Sequence, residues 1–131
     1  MTSPASLINE TSPRVVLVVE DEALIRMSLA DAMEDAGFTV VEANGADAAV
    51  REFANRQDIN IVITDVQMPG SMDGIGLCEW LHTNQPGVPF IICSGRDRLS
   101  DLQGFPPSTF RVVAKPYSTD NIVDQVRELI G

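Results

Sequence analysis

The sequence predicts an α/β fold: a doubly wound, five-stranded parallel sheet with helices on both faces. Short apolar runs rich in β-branched residues alternate with segments of helical periodicity five times along the chain, which is the order expected of βα units. Several runs are apolar at successive positions, which is typical of strands that are covered on both faces. The strands of a parallel sheet all point the same way, so their carboxyl ends lie at one edge, and we expect the crossovers between them to be right-handed.

Each element is predicted from its own residues. Val15 to Val19 is a continuous β-branched run, and the helix that follows it has an apolar stripe at helical spacing and ends at Gly37, a typical residue after a helix. Asn44 is the predicted N-cap of the second helix, and Ser118 is that of the last. The predicted strands cover residues 15–19, 38–43, 59–65, 90–93 and 111–114, and the predicted helices cover 23–36, 46–54, 75–83, 98–103 and the segment after residue 118.

Composition limits both the domain organisation and the partners. The 131 residues fit one domain, so we expect residues 14–131 to form it, residues 1–13 to be a flexible tail, and no effector domain to follow. The net charge of −10 disfavours nucleic acid and anionic membranes as partners. No apolar run approaches a membrane span, and the two cysteines lack metal or redox spacing, which favours a cytoplasmic location.

Polar side chains collect where the predicted strands end. Glu20 and Asp21 follow the first strand, and Asp65 closes the third, Ile61-Val62-Ile63-Thr64-Asp65. Ser94 follows the fourth strand and Lys115 the fifth. Ligands of open α/β sheets bind beyond the carboxyl ends of the strands, so these five residues predict one site.

The chemistry of these residues points to phosphoryl transfer. Three carboxylates in one cleft repel each other unless a cation is present, and Mg²⁺ prefers oxygen ligands. A carboxylate nucleophile at Asp65, a divalent ion, the Lys115 ammonium and the Ser94 hydroxyl are the groups that transfer of a phosphoryl group onto Asp65 needs. Asp65 as a simple turn cap is the alternative for that residue alone, and the other strand ends argue against it.

These residues resemble the receiver domain of two-component response regulators, whose fold is a flavodoxin-like (βα)5 sheet. The resemblance extends from about Arg14 to Ile130 and is specific in the combination of its motifs. The matching segments are Val18-Val19-Glu20-Asp21, Ile63-Thr64-Asp65-Val66-Gln67-Met68-Pro69, Ile92-Cys93-Ser94-Gly95 and Ala114-Lys115-Pro116-Tyr117.

The resemblance implies a role for each matching residue. Asp65 is the implied phosphoacceptor, and Ser94 moves toward the phosphoryl group on activation. Lys115 contacts the phosphoryl group, and the implied Lys115–Pro116 peptide bond is cis. The implied Mg²⁺ ligands are Asp21, Asp65, Glu20 through water, and the backbone carbonyl of Gln67. The implied partners are a histidine kinase or phosphotransfer protein and an unidentified protein target, with the chain a monomer or weak dimer.

Three departures from the family pattern bear on the switch. Glu20 stands where aspartate is commoner, and Gly70-Ser71 make the loop after Pro69 one residue longer than usual. Val112 occupies the position, three residues before Lys115, where many receivers carry Phe or Tyr. This chain therefore lacks, at that position, the aromatic side chain whose rotation reports phosphorylation in those receivers.

Three functions remain open from the sequence. The leading one is a stand-alone receiver that is phosphorylated on Asp65 and signals by binding another protein, without acting as an enzyme on a separate substrate. The second is a Mg²⁺-dependent phosphohydrolase with an Asp nucleophile, a class that places a second acid where Gln67 stands. The third is a pseudo-receiver that binds its partner independently of phosphorylation.

Overall fold

The structure, a computed structural model, describes residues 13–95, 104–106 and 109–131. Within these residues, five strands and four helices follow each other along the chain. The strands are β1 (Val15–Val19), β2 (Thr39–Ala43), β3 (Ile59–Asp65), β4 (Phe90–Ser94) and β5 (Phe110–Ala114). The helices are α1 (Ala23–Asp35), α2 (Ala46–Asn55), α3 (Gly74–Asn84) and α4 (Thr119–Ile130).

The five strands form one parallel sheet in the order β2-β1-β3-β4-β5. The chain leaves β1 toward β2 on one side and returns to β3 on the other, so the direction of winding reverses between β1 and β3. This switch point is where ligands bind in open α/β sheets. It places the carboxyl ends of β1 and β3 side by side, with Val19 of β1 paired to Thr64 of β3.

Successive strand residues pack on opposite faces of the sheet. One core contains Leu17 and Leu77 and lies under α2 and α3, while the other contains Val18 and Ile122 and lies under α1 and α4. All five residues of β1 are buried, as the uninterrupted apolar run predicts. The predicted sheet with helices on both faces is therefore confirmed.

The helices agree with the sequence in position and differ from it at one cap. Ser118 accepts a hydrogen bond from the Asn121 amide, as predicted, whereas Asn44 is not the N-cap of α2: Gly45 holds that position, and no side chain caps the helix. The predicted helix 98–103 and most of the predicted tail 1–13 lie outside the described residues. None of the helices in the described part of the chain combines the length and apolar character needed to cross a bilayer.

Candidate functional site

The end of β1 presents two carboxylates in different surroundings. The Glu20 amide donates to the Ala43 carbonyl at 3.1 Å and so extends the pairing of β1 with β2 by one residue. This keeps the Glu20 side chain inside the fold, where it is 3% exposed and Oε2 accepts a hydrogen bond from the Glu22 amide at 3.0 Å. Asp21, the next residue, is exposed. The first strand therefore supplies one buried and one open carboxylate.

Asp65 is held at the end of β3 by close packing of the chain that follows it. The Val66 amide donates to the Cys93 carbonyl at 3.1 Å, so β3 remains aligned with β4 past the carboxylate. The Gly74 amide, at the start of α3, donates to the Val66 carbonyl at 2.8 Å. The Asp65 side chain is 13% exposed, which leaves its carboxylate reachable while its backbone is fixed.

Lys115 forms an ion pair with Asp65 across the site. Its Nζ lies 2.7 Å from Asp65 Oδ2, and its backbone amide donates to the Ser94 carbonyl at 2.9 Å. The Lys115–Pro116 peptide bond is cis, in agreement with the resemblance. Burial alone would lower the pKa of Lys115, but the hydrogen bond and charge of Asp65 outweigh it and raise the pKa, so the ammonium stays charged.

The three predicted metal carboxylates come together. Oxygen atoms from Glu20, Asp21 and Asp65 lie within 4.8 Å of one another. An all-oxygen donor set of this charge fits a hard divalent cation such as Mg²⁺, which keeps several waters in its shell. Gln67 lines the same cleft, while the role of its backbone carbonyl as a ligand stays a prediction.

A cleft of about 260 Å³ at the carboxyl edge of the sheet is lined by five of the predicted site residues: Asp21, Asp65, Gln67, Ser94 and Lys115. Buried Glu20 is not among its lining residues. Ser94 and Gly95 form part of its wall beside Lys115, as expected from the ends of β4 and β5. The sequence reasoning missed Glu22, which lines the cleft as well. Its position directly after Asp21 was the available signal. The cleft thus combines an acidic side with a single lysine among its lining residues.

The longer loop after β3 is connected to α2 by a hydrogen bond between Ser71 and Asp47. Gly70 has φ +114°, a conformation that favours glycine, and the Ser71 hydroxyl donates to the Asp47 carboxylate at 3.0 Å. Asp47 lies in the first turn of α2, where a negative charge is favourable. After this loop, the Asp73 carboxylate caps α3 by accepting from the Gly76 amide at 2.9 Å.

Aromatic side chains near β5 pack together away from the cleft. Val112 is 37% exposed, and Phe110 stacks on Phe90 with ring centroids 5.6 Å apart. Phe105 meets Phe90 edge to face at 5.7 Å and also contacts His82 at 5.2 Å. Phe110 therefore has a packing role, and exposed His82 has an aromatic contact that the sequence did not reveal.

Glu20 makes the free energy of unfolding depend on pH. Burial is the main cause that raises the pKa of its carboxyl from 4.5 to about 7. The folded state therefore binds the Glu20 proton more tightly than the unfolded state does. The stability that this provides is fully present below pH 4.5, the pKa of the unfolded state, and is lost as the pH rises through about 7, the pKa of the folded state. In EDTA, we expect wild type to lose on the order of 2 kcal/mol more than Glu20→Gln between about pH 5 and about pH 8.

Urea denaturation at the two pH values measures this difference. Glu34→Gln, on the exposed side of α1, is the matched control and should follow the wild-type dependence. Equal pH dependence in wild type and Glu20→Gln would contradict the expectation.

Comparison with known proteins agrees with this fold and identifies the family. Residues 16–127 match the family model of the response regulator receiver domain. A CheY-like receiver domain protein from Methanospirillum hungatei superposes with a TM-score of 0.80 at 24% identity, over 91% of this chain and 94% of that one. The chain belongs to the receiver domain family of two-component systems, whose members generally bind Mg²⁺ at an acidic pocket and interact with histidine kinases or phosphotransfer proteins.

The curated relatives are regulatory proteins that are longer than this chain. The transcriptional regulatory protein PdtaR of Mycobacterium tuberculosis is 31% identical over 128 residues, which cover 96% of this chain and 61% of PdtaR. The probable transcriptional regulatory protein TcrX of the same species is 29% identical over 119 residues, covering 90% of this chain and 50% of TcrX. The chain thus spans half to three fifths of the length of these relatives.

Proposed function

We propose that Asp65 accepts a phosphoryl group from a phosphohistidine on a histidine kinase or phosphotransfer protein, and that the change in charge alters binding of a protein target. The observation that carries the proposal is the Asp65 carboxylate, which pairs with Lys115 at 2.7 Å and lies in the cluster with Glu20 and Asp21. The site has a nucleophile, a fixed positive charge and a cation-binding donor set at the carboxyl ends of β1, β3 and β5.

The residues of the cleft have separate roles in this transfer. An Asp65 oxygen forms the new P–O bond in line with the P–N bond of the donor, whose electron pair stays on the departing imidazole nitrogen. Lys115 neutralises charge on the phosphoryl oxygens, and the Ser94 hydroxyl donates to one of them. Mg²⁺, held by Asp21, Asp65, the Gln67 carbonyl and, through water, Glu20, would supply further neutralisation of the same oxygens.

The expected output is protein binding, with no separate substrate turned over. Phosphorylation replaces one negative charge with roughly two and adds acceptor oxygens, by analogy with hydroxyl phosphates. Ser94 and Lys115 move toward those oxygens, and their movement changes the conformation of the segments that follow β4 and β5. The net charge of −10 supports a protein target over nucleic acid, and the two buried free thiols support a reducing cytoplasmic setting.

Intact mass spectrometry tests the proposal. We expect the protein to gain the mass of one phosphoryl group on incubation with acetyl phosphate or phosphoramidate and Mg²⁺, and to gain none when EDTA replaces Mg²⁺. If small phosphodonors give no mass gain, an assay that contains a histidine kinase tests whether the protein is phosphorylated only by a kinase. If neither assay gives a mass gain in folded protein that binds Mg²⁺, the pseudo-receiver function is favoured. Sustained turnover of a phosphoester would instead favour the phosphohydrolase.

A further inference from the structure

Arg26 connects the metal-binding end of β1 to the neighbouring strand β2. Its backbone amide donates to the Glu22 carbonyl at 2.9 Å, which fixes the residue in the first turns of α1. Its side chain turns back over the strand ends, where Nη1 donates to the Glu20 carbonyl at 2.8 Å and Nε donates to Glu42 Oε1 at 3.2 Å. One guanidinium therefore holds a backbone oxygen and a carboxylate at once.

The Arg26–Glu20 contact differs from an ordinary surface ion pair. The Arg26 side chain is 19% exposed, whereas that of Glu42 is 43% exposed. The carbonyl of Glu20 lies where the chain leaves β1, and a hydrogen bond to a charged donor is stronger than one between neutral groups. The planar guanidinium can reach both acceptors in a fixed geometry, which a lysine ammonium does not reproduce.

Two hydrogen bonds, one on each side of Asp21, hold the turn from Glu20 to Glu22 that carries two of the metal carboxylates. Arg26 fixes the Glu20 carbonyl, and the buried Glu20 carboxylate accepts from the Glu22 amide at 3.0 Å. Asp21 lies between these two points and contributes its carboxylate to the same cluster. Loss of the first bond frees the peptide between Glu20 and Asp21, and with it the direction in which both side chains leave the backbone.

We propose that Arg26 is a positioning residue for the divalent-cation site, acting through Glu20 and Asp21 without touching the ion; this inference rests on the proposed function of the site. Charge and geometry predict opposite results. Removing a positive charge near three carboxylates would strengthen cation binding, whereas loosening the turn weakens it. The sign of the change in Mg²⁺ affinity therefore decides between the two.

Calorimetric titration of the full chain with Mg²⁺ measures that sign. We expect the dissociation constant to rise about tenfold in Arg26→Ala, the lower end of what loss of an outer-shell partner costs. Arg26→Lys keeps the charge and should still bind more weakly than wild type. Glu42→Ala leaves the hydrogen bond from Arg26 to the Glu20 carbonyl in place, so its Mg²⁺ dissociation constant should lie between those of the two Arg26 variants and that of wild type. Arg56→Ala removes the exposed Arg56–Asp58 pair and is the control expected to have no effect.

Amide hydrogen exchange in EDTA separates positioning from general destabilisation. In Arg26→Ala, the Glu22 amide should exchange faster, while amides in the middle of β3 keep their wild-type protection. Equal or tighter Mg²⁺ binding in Arg26→Ala, or faster exchange across the whole sheet in proportion to lost stability, would overturn the inference. If Arg26→Ala does not fold, Arg26→Lys and Glu42→Ala decide by the same two readouts. A wild-type protein that binds no Mg²⁺ would instead overturn the proposed function.

Discussion

Asp65→Asn is expected to lower phosphoryl uptake at least about 100-fold, which is the scale of losing an acting nucleophile. The amide oxygen of asparagine is uncharged and is a much weaker nucleophile than a carboxylate oxygen, and no other carboxylate in the described part of the cluster pairs with Lys115 in its place. The measurement is the time course of the mass gain with a small phosphodonor and Mg²⁺, fitted separately for variant and wild type.

The matched control is Asp58→Asn, which neutralises an exposed aspartate that is also paired with a basic side chain. It should gain the phosphoryl group at the wild-type rate. If Asp65→Asn is modified as readily as wild type, the phosphoacceptor is another residue and the proposal for Asp65 is wrong. Denaturation curves of both variants confirm that a lost mass gain reflects chemistry, because unfolded protein would give the same result.

The sequence could predict the site because the residues that form it follow strongly patterned strands. Apolar β-branched runs such as Val15 to Val19 are typical of buried strands, and parallel topology brings Asp21, Asp65 and Lys115 to one edge. The β-branched pattern therefore determined the fold class, and the polar residue that ends each run determined the cleft. The cation-binding cluster follows from these two facts and from the order of the strands.

Contacts that depend on side-chain reach could not be predicted in the same way. Arg26 bonds to Glu42, which is distant in sequence and adjacent only because β1 and β2 pair in a particular register. Phe105 packs on Phe90 from a Gly- and Pro-containing segment without helical or strand periodicity. The cap at Gly45 depends on how the chain leaves β2, whereas the side chain of Asn44 was the stronger local signal.

Gly74→Ala is expected to lower the free energy of unfolding by about 3 kcal/mol or more, at the upper end of the cost of overpacking. A Cβ at this position would overlap the Asp65 carbonyl oxygen and lie 2.7 Å from the Asp65 carbonyl carbon and 2.9 Å from the Val66 Cα. All three are backbone atoms of Asp65 and of Val66, the residue that follows β3, so no side chain can rotate to make room. Thermal and urea denaturation measure the loss.

Gly87→Ala is the matched control, because a Cβ there meets no atom within 4 Å and the substitution should change stability by no more than about 1 kcal/mol. Gly74→Ala should also slow phosphorylation in the fraction that remains folded. Relief of the overlap requires either α3 or the end of β3 to move, and movement of β3 shifts the Asp65 carboxylate relative to Lys115 and the other two acids. Wild-type stability in Gly74→Ala would show that α3 can withdraw from Asp65 at little cost. Large destabilisation with an unchanged rate per folded molecule would instead mean that the displacement is absorbed by α3 alone.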